Sequence, residues 1–170
     1  MTTTNTTTTT GSHRAVVTTP SDTELEIARV FRAPPALVYR AWTTPALIRR
    51  WWSGDRGEVT VAEVDLRVGG GWRYVMVANR GFEVAFHGVF REIVPNERLV
   101  NTEVFEAMPH AEALNVVTFA AHGAGTRVTI RVRHATRAER DLHLNSGMEA
   151  GMQEAMDHLE RVAAELDPAG

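Results

Sequence analysis

The sequence predicts an α+β fold in which a curved antiparallel sheet lies against one long C-terminal helix. Between Thr23 and His134 seven runs alternate at period two, the spacing of a sheet with one face buried. From Thr136 to Leu166 the period changes: Met148, Met152, Ala155, Met156, Leu159, Val162, Ala163 and Leu166 recur at steps of three and four, which puts them on one helical face. Gly70, Gly71 and Gly88 fall in or beside strands, where they ease the bending needed to wrap a sheet around a helix.

Residues 1–22 read as a flexible tail, because this Thr-rich stretch, with Gly11-Ser12-His13 inside it, has too little apolar surface to offset the entropy of ordering. Residues 23–167 read as a single domain. In its first strand Leu25, Ile27, Arg29 and Phe31 alternate with Glu24, Glu26, Ala28 and Val30. Pro34-Pro35 ends it and Pro35 opens a short helix with Leu37, Val38, Ala41 and Trp42 on one face; Thr44-Pro45 opens a second, carrying Leu47, Ile48, Trp51 and Trp52. A weaker strand through Val59, Val61 and Val64 ends near Gly69-Gly70-Gly71. Trp72 to Val77 and Phe82 to Phe90 follow as a hairpin about Asn79-Arg80-Gly81. Pro95-Asn96-Glu97-Arg98 is a turn; Leu99 to Glu106, Ala113 to Ala121 and Thr126 to His134 complete the sheet. Thr136 with Glu139 has the form of a capping box and starts the long helix, which Pro168 stops. Ser146 and Glu149 repeat that form beside Gly147, so a break there is an open alternative.

A net charge of −3 disfavours nucleic acid and anionic membranes as partners. With no cysteine there is no disulfide, thiol nucleophile or thiolate metal site, and a reducing cytoplasm fits. No apolar run is long enough for membrane insertion, and the start of the chain lacks the pattern of a signal peptide.

Several stretches in this order resemble the activator-of-heat-shock-ATPase-like (AHSA-type) branch of the START/SRPBCC superfamily, whose helix-grip fold is that of the birch pollen allergen. They are Arg29-Val30-Phe31-Arg32-Ala33-Pro34, Val38-Tyr39-Arg40-Ala41-Trp42-Thr43, Leu47-Ile48-Arg49-Arg50-Trp51-Trp52, Asp65-Leu66-Arg67-Val68-Gly69-Gly70, Gly88-Val89-Phe90, Pro95-Asn96-Glu97-Arg98-Leu99, Gly125-Thr126-Arg127-Val128-Thr129 and Gly147-Met148-Glu149-Ala150-Gly151-Met152. The resemblance spans roughly Glu24 to Leu166. It implies a strand, two short helices, six more strands and a long helix, with a cavity between helix and sheet that commonly takes lipids, polyketides or other apolar molecules. The superfamily includes binding proteins, cyclases, hydrolytic self-resistance proteins and co-chaperones, and no catalytic set is common to them. The Thr-rich tail is too short and too polar to replace the additional N-terminal domain of the family's namesake co-chaperone.

The residues expected to line such a cavity are Trp51, Trp72, Tyr74, Met76, Phe86, Phe90, Asn101, Ile130, His134, Met148, Met152 and Met156; the alternative for each apolar one is plain core packing. His134, Tyr74 and Asn101 are the candidate polar groups, with His134 inward by parity and able in principle to act as a general base. A structural histidine is the commoner outcome at a strand end. Glu24, Glu26, Glu103 and Glu106 read as solvated charges, and His143 and His158 as solvated helix positions. The scattered histidines do not match a metal site, Gly69-Gly70-Gly71 leads into a strand rather than a phosphate-binding helix, and no cofactor is expected. The expected function is binding of a small hydrophobic or aromatic ligand without catalysis. The alternatives are a polyketide cyclase or aromatase and a module that stimulates a heat-shock ATPase. An apolar edge on the short helices could support a homodimer, though nothing in the sequence requires one.

Overall fold

A computed structural model describes residues 14–168. Eight strands and four helices follow in the order β1 (Val16–Ser21), β2 (Glu24–Phe31), α1 (Pro35–Thr43), α2 (Pro45–Trp51), β3 (Gly57–Val64), β4 (Gly71–Ala78), β5 (Glu83–Val94), β6 (Arg98–Phe105), β7 (Glu112–His122), β8 (Gly125–Arg133), α3 (Arg137–Leu144) and α4 (Met148–Ala164). The strands form one antiparallel sheet in the order β1-β2-β8-β7-β6-β5-β4-β3. The two short helices connect strands near opposite edges, and α4 lies across the concave side. No helix among the described residues is long and apolar enough to cross a membrane.

In β2 burial follows the parity read from the sequence. Leu25, Ile27, Arg29 and Phe31 are buried in β2 while the residues between them are half-exposed. Phe31, Val38, Ile48, Leu99, Val128 and Leu159 bring β2, α1, α2, β6, β8 and α4 into one core, each at most 1% exposed. Burying an aliphatic side chain of this size contributes about 1.5–3 kcal/mol. Both short helices carry proline in the first turn, where the missing N–H is not needed.

Two expectations require correction. Val16–Ser21, assigned to the flexible tail, is an edge strand paired with β2. Its isolated β-branched residues look like part of the Thr-rich tract, and its anchor is remote in sequence: the Gln153 amide accepts from the Ala15 N–H at 3.0 Å and donates to the Ala15 carbonyl at 2.7 Å. The rest of the predicted tail, including Gly11-Ser12-His13, lies outside the described residues. The sheet therefore has eight strands, not seven.

The long helix is also two helices. The capping box forms as expected, with the Glu139 N–H donating to Thr136 Oγ1 at 3.1 Å and the Glu139 carboxylate accepting from the Ala135 N–H. The helix then ends at Asn145, and Gly147 takes φ of +80° before α4 begins. That backbone suits glycine and strains any residue with a Cβ. Nothing lies near the position a Cβ would take, so Gly147→Ala should cost only the conformational strain, about 1 kcal/mol in a urea melt.

The polar side of α4 is fastened to the sheet edge. Asp157 meets buried Arg29 at 2.7 Å, Glu160 accepts from the Arg32 N–H, and Gln153 holds Ala15. Arg140 of α3 donates to the Ser21 carbonyl at 2.6 Å. The helices are thus tied down along the β1–β2 side.

Candidate functional site

Toward β3–β6, α4 stands away from the sheet and leaves a cavity of about 860 Å³. Tied helices on one side and bulky side chains on the other keep the gap open. Trp72, Tyr74 and Met76 come from β4, Phe86 and Phe90 from β5, Leu99, Asn101 and Glu103 from β6, Asn115 and Val117 from β7, and Ile130 and Val132 from β8. Met148, Met152 and Met156 close it from α4. Asp55, Arg56, Asn79 and Arg80 form an exposed polar rim on the loops, where Arg56 pairs with Glu154 at 3.0 Å.

Of the residues singled out from sequence, the structure brings eleven to this wall: Trp51, Trp72, Tyr74, Met76, Phe86, Phe90, Asn101, Ile130, Met148, Met152 and Met156. His134 is not among them. It lies just beyond the end of β8, where its Nε2 is 2.9 Å from His143 Nδ1 and its N–H donates to the Thr23 carbonyl. Parity carried it to the inner face, but the strand ends first and α3 covers it. Trp51 is largely an anchor, its indole N–H donating to the Ala41 carbonyl at 2.9 Å. Its neighbour Trp52 is half-buried on the cavity wall, with its ring edge-on to Tyr74 and Phe86 at centroid distances of 5.5 and 5.7 Å. Asn101 donates to the neighbouring Thr102 carbonyl.

Two readings of charged residues are overturned. Glu103, expected as a solvated charge, lines the cavity, and the part of its surface that stays accessible faces that space. Burial pushes its pKa up, opposed by the bond it accepts from Asn115 Nδ2 at 3.0 Å. Tyr74 sits close enough that burial, then the Glu103 charge, holds its hydroxyl protonated well above the usual range. Asn115 is buried and its Oδ1 has no partner among the described residues. The signal for Glu103 was present: it is two residues from Asn101 on one strand and must share its face. By contrast Glu106 is half-exposed beside Arg73 and His87, and mainly the Arg73 hydrogen bonds hold its pKa down to about 2.

His143 is the second correction, since it lines the cavity instead of facing solvent. Burial, followed by the neighbouring His134, lowers its pKa to about 4. Above pH 6.5 it is neutral folded or unfolded; between 6.5 and 4 only the unfolded chain binds the proton, so folding stability should fall as pH drops through that window. His143→Gln should flatten this limb in denaturant melts. Among the described residues no group of three or more His, Asp and Glu side chains is arranged to hold a metal ion.

The family described as activator of Hsp90 ATPase homolog 1-like protein matches residues 32–164. Among solved structures, a protein from Rhodobacter sphaeroides superposes with a TM-score of 0.83 at 28% identity, covering 91% of this chain and 100% of its own. One from Nitrosomonas europaea gives 0.76 at 28% identity over 86% and 97%. A third, from Mycobacterium smegmatis, shares the fold at 0.79 and 23% identity over 90% and 99%. No curated protein matches the sequence.

Proposed function

The chain belongs to the family of activator of Hsp90 ATPase homolog 1-like proteins, and from that premise we propose that it holds a small hydrophobic or aromatic molecule between α4 and the sheet. The observation that carries this reading is the cavity itself. Its volume lies within the range of small-molecule sites, and apolar walls with a few convergent polar groups are what such sites share. The methionines of α4 suit the role, because flexible thioethers conform to varied shapes. The polar group expected to orient the ligand is Glu103 with Asn115, in place of His134.

Native mass spectrometry of freshly purified protein, followed by thermal melts with fatty acids, lipids and aromatic polyketides, tests the proposal. A retained small molecule, or stabilisation of about 2.7 kcal/mol at a hundredfold excess over Kd, is the expected result. A protein that is empty and unmoved by every compound would contradict it.

The buried carboxyl favours one second reading, a cyclase-type enzyme in which Glu103 shuttles a proton during enolate formation. A carboxyl whose pKa burial raises is suited to acid–base work. Turnover of a polyketone lost in Glu103→Gln and kept in His134→Ala would establish it.

A further inference from the structure

We propose that the molecule this cavity takes carries a protonated amine on an apolar body, and that Glu103, Asn115 and the Trp72 and Tyr74 rings receive the ammonium group. The inference rests on the ligand-binding reading above and adds the chemical class.

Several other carboxylates on or beside the sheet have an arginine partner: Glu106 has Arg73, Glu26 has Arg131, and Glu92 has Arg98. Glu103 has only the Asn115 amide, and no cation raises or lowers its charge. All 18 basic side chains of the protein are arginine, so it has no lysine ammonium to offer. A carboxylate set in a largely apolar wall without a countercharge is costly to keep, and the missing cation is what an amine ligand would bring.

The hydrogen-bonding inventory agrees. Asn115 Nδ2 gives one N–H to Glu103 Oε2, while Asn115 Oδ1 is buried without a donor among the described residues. This end of the cavity therefore has acceptor capacity to spare. An ammonium supplies three donors and no acceptor, whereas a carbonyl ligand would supply only another acceptor.

The surrounding rings complete the site. Trp72 and Tyr74 are 4.8 Å apart at 48°, and Trp52 and Phe86 stand beyond Tyr74. Aromatic faces attract cations, most strongly where water is excluded. Phe90 and the α4 methionines suit an apolar body for the rest of the ligand.

Naphthylethylamine and naphthylethanol differ only in the group placed at the polar end. Calorimetric titration of the full-length protein at pH 7.5 should show the amine binding at least about tenfold tighter, the lower bound for a charge-assisted hydrogen bond. Glu103→Gln should remove that preference, because the charged contact is lost. The alcohol binding as tightly as the amine to the wild-type protein would overturn the proposal, and this arm needs no variant to fold. A preference for the amine that survives in Glu103→Gln would overturn it too. If neither compound binds, the ligand-binding reading fails and this inference falls with it.

Discussion

Gly88→Ala is expected to destabilise the protein by about 2–6 kcal/mol and to abolish binding of apolar probes. A Cβ at this β5 position would sit 1.8 Å from the Thr102 carbonyl oxygen and 2.6 Å from Trp72 Nε1. The first is backbone of the paired strand and cannot turn aside. The second belongs to a buried indole whose N–H donates to that same carbonyl at 3.2 Å. Relief requires β5 and β6 to part or Trp72 to leave the cavity floor. Overpacking alone costs about 1–3 kcal/mol, and stranding the indole N–H or the carbonyl adds about 1–3 kcal/mol. Urea denaturation gives the stability, and N-phenylnaphthylamine fluorescence reports the cavity. A variant as stable as the parent would show that β5 and β6 are less closely opposed at Gly88.

Glu103→Gln is expected to stabilise the empty protein above neutrality, by about 1–3 kcal/mol, the cost of an unsatisfied buried polar group and a lower bound for a charged one. Burial raises the folded-state pKa above the ordinary 4.5. The folded state therefore holds its proton where the unfolded chain has lost it, and stability present below pH 4.5 declines as pH rises through the folded pKa. Gln cannot ionise, so the variant should lack this decline. The slope is opposite in sign to that of His143, and single variants separate the two. A residue kept at the expense of stability is the pattern expected of a binding site. Equal stability of parent and variant at pH 8 would mean that Glu103 is not cut off from water.

Much of the architecture is readable in the residues because parity is a local property. Alternation in β2 and β8, the prolines at the starts of α1 and α2, and the Thr136 cap each specify their element without distant help. β1 was not readable, since its order depends on Gln153 some 138 residues away. The break at Gly147 was visible only as an alternative, for the periodicity runs on across it. Residue type misled at Glu103: a glutamate is usually solvated, yet its strand position beside Asn101 placed it inward. The reverse happened at His134, where parity was right but the strand stopped. The volume of the cavity was not legible at all, because it depends on how far the ties at Arg29, Arg32 and Ala15 hold α4 from the opposite side of the sheet.

The methyl groups of the methionines give the most direct test that the space beneath α4 is a binding site. Met76, Met148, Met152 and Met156 line it, while Met108 is exposed in the connection between β6 and β7. In methyl NMR spectra of selectively labelled protein titrated with N-phenylnaphthylamine, those four resonances should shift together and saturate at one equivalent, with Met108 unmoved. Four unmoved cavity methyls, or a shift confined to Met108, would contradict the account.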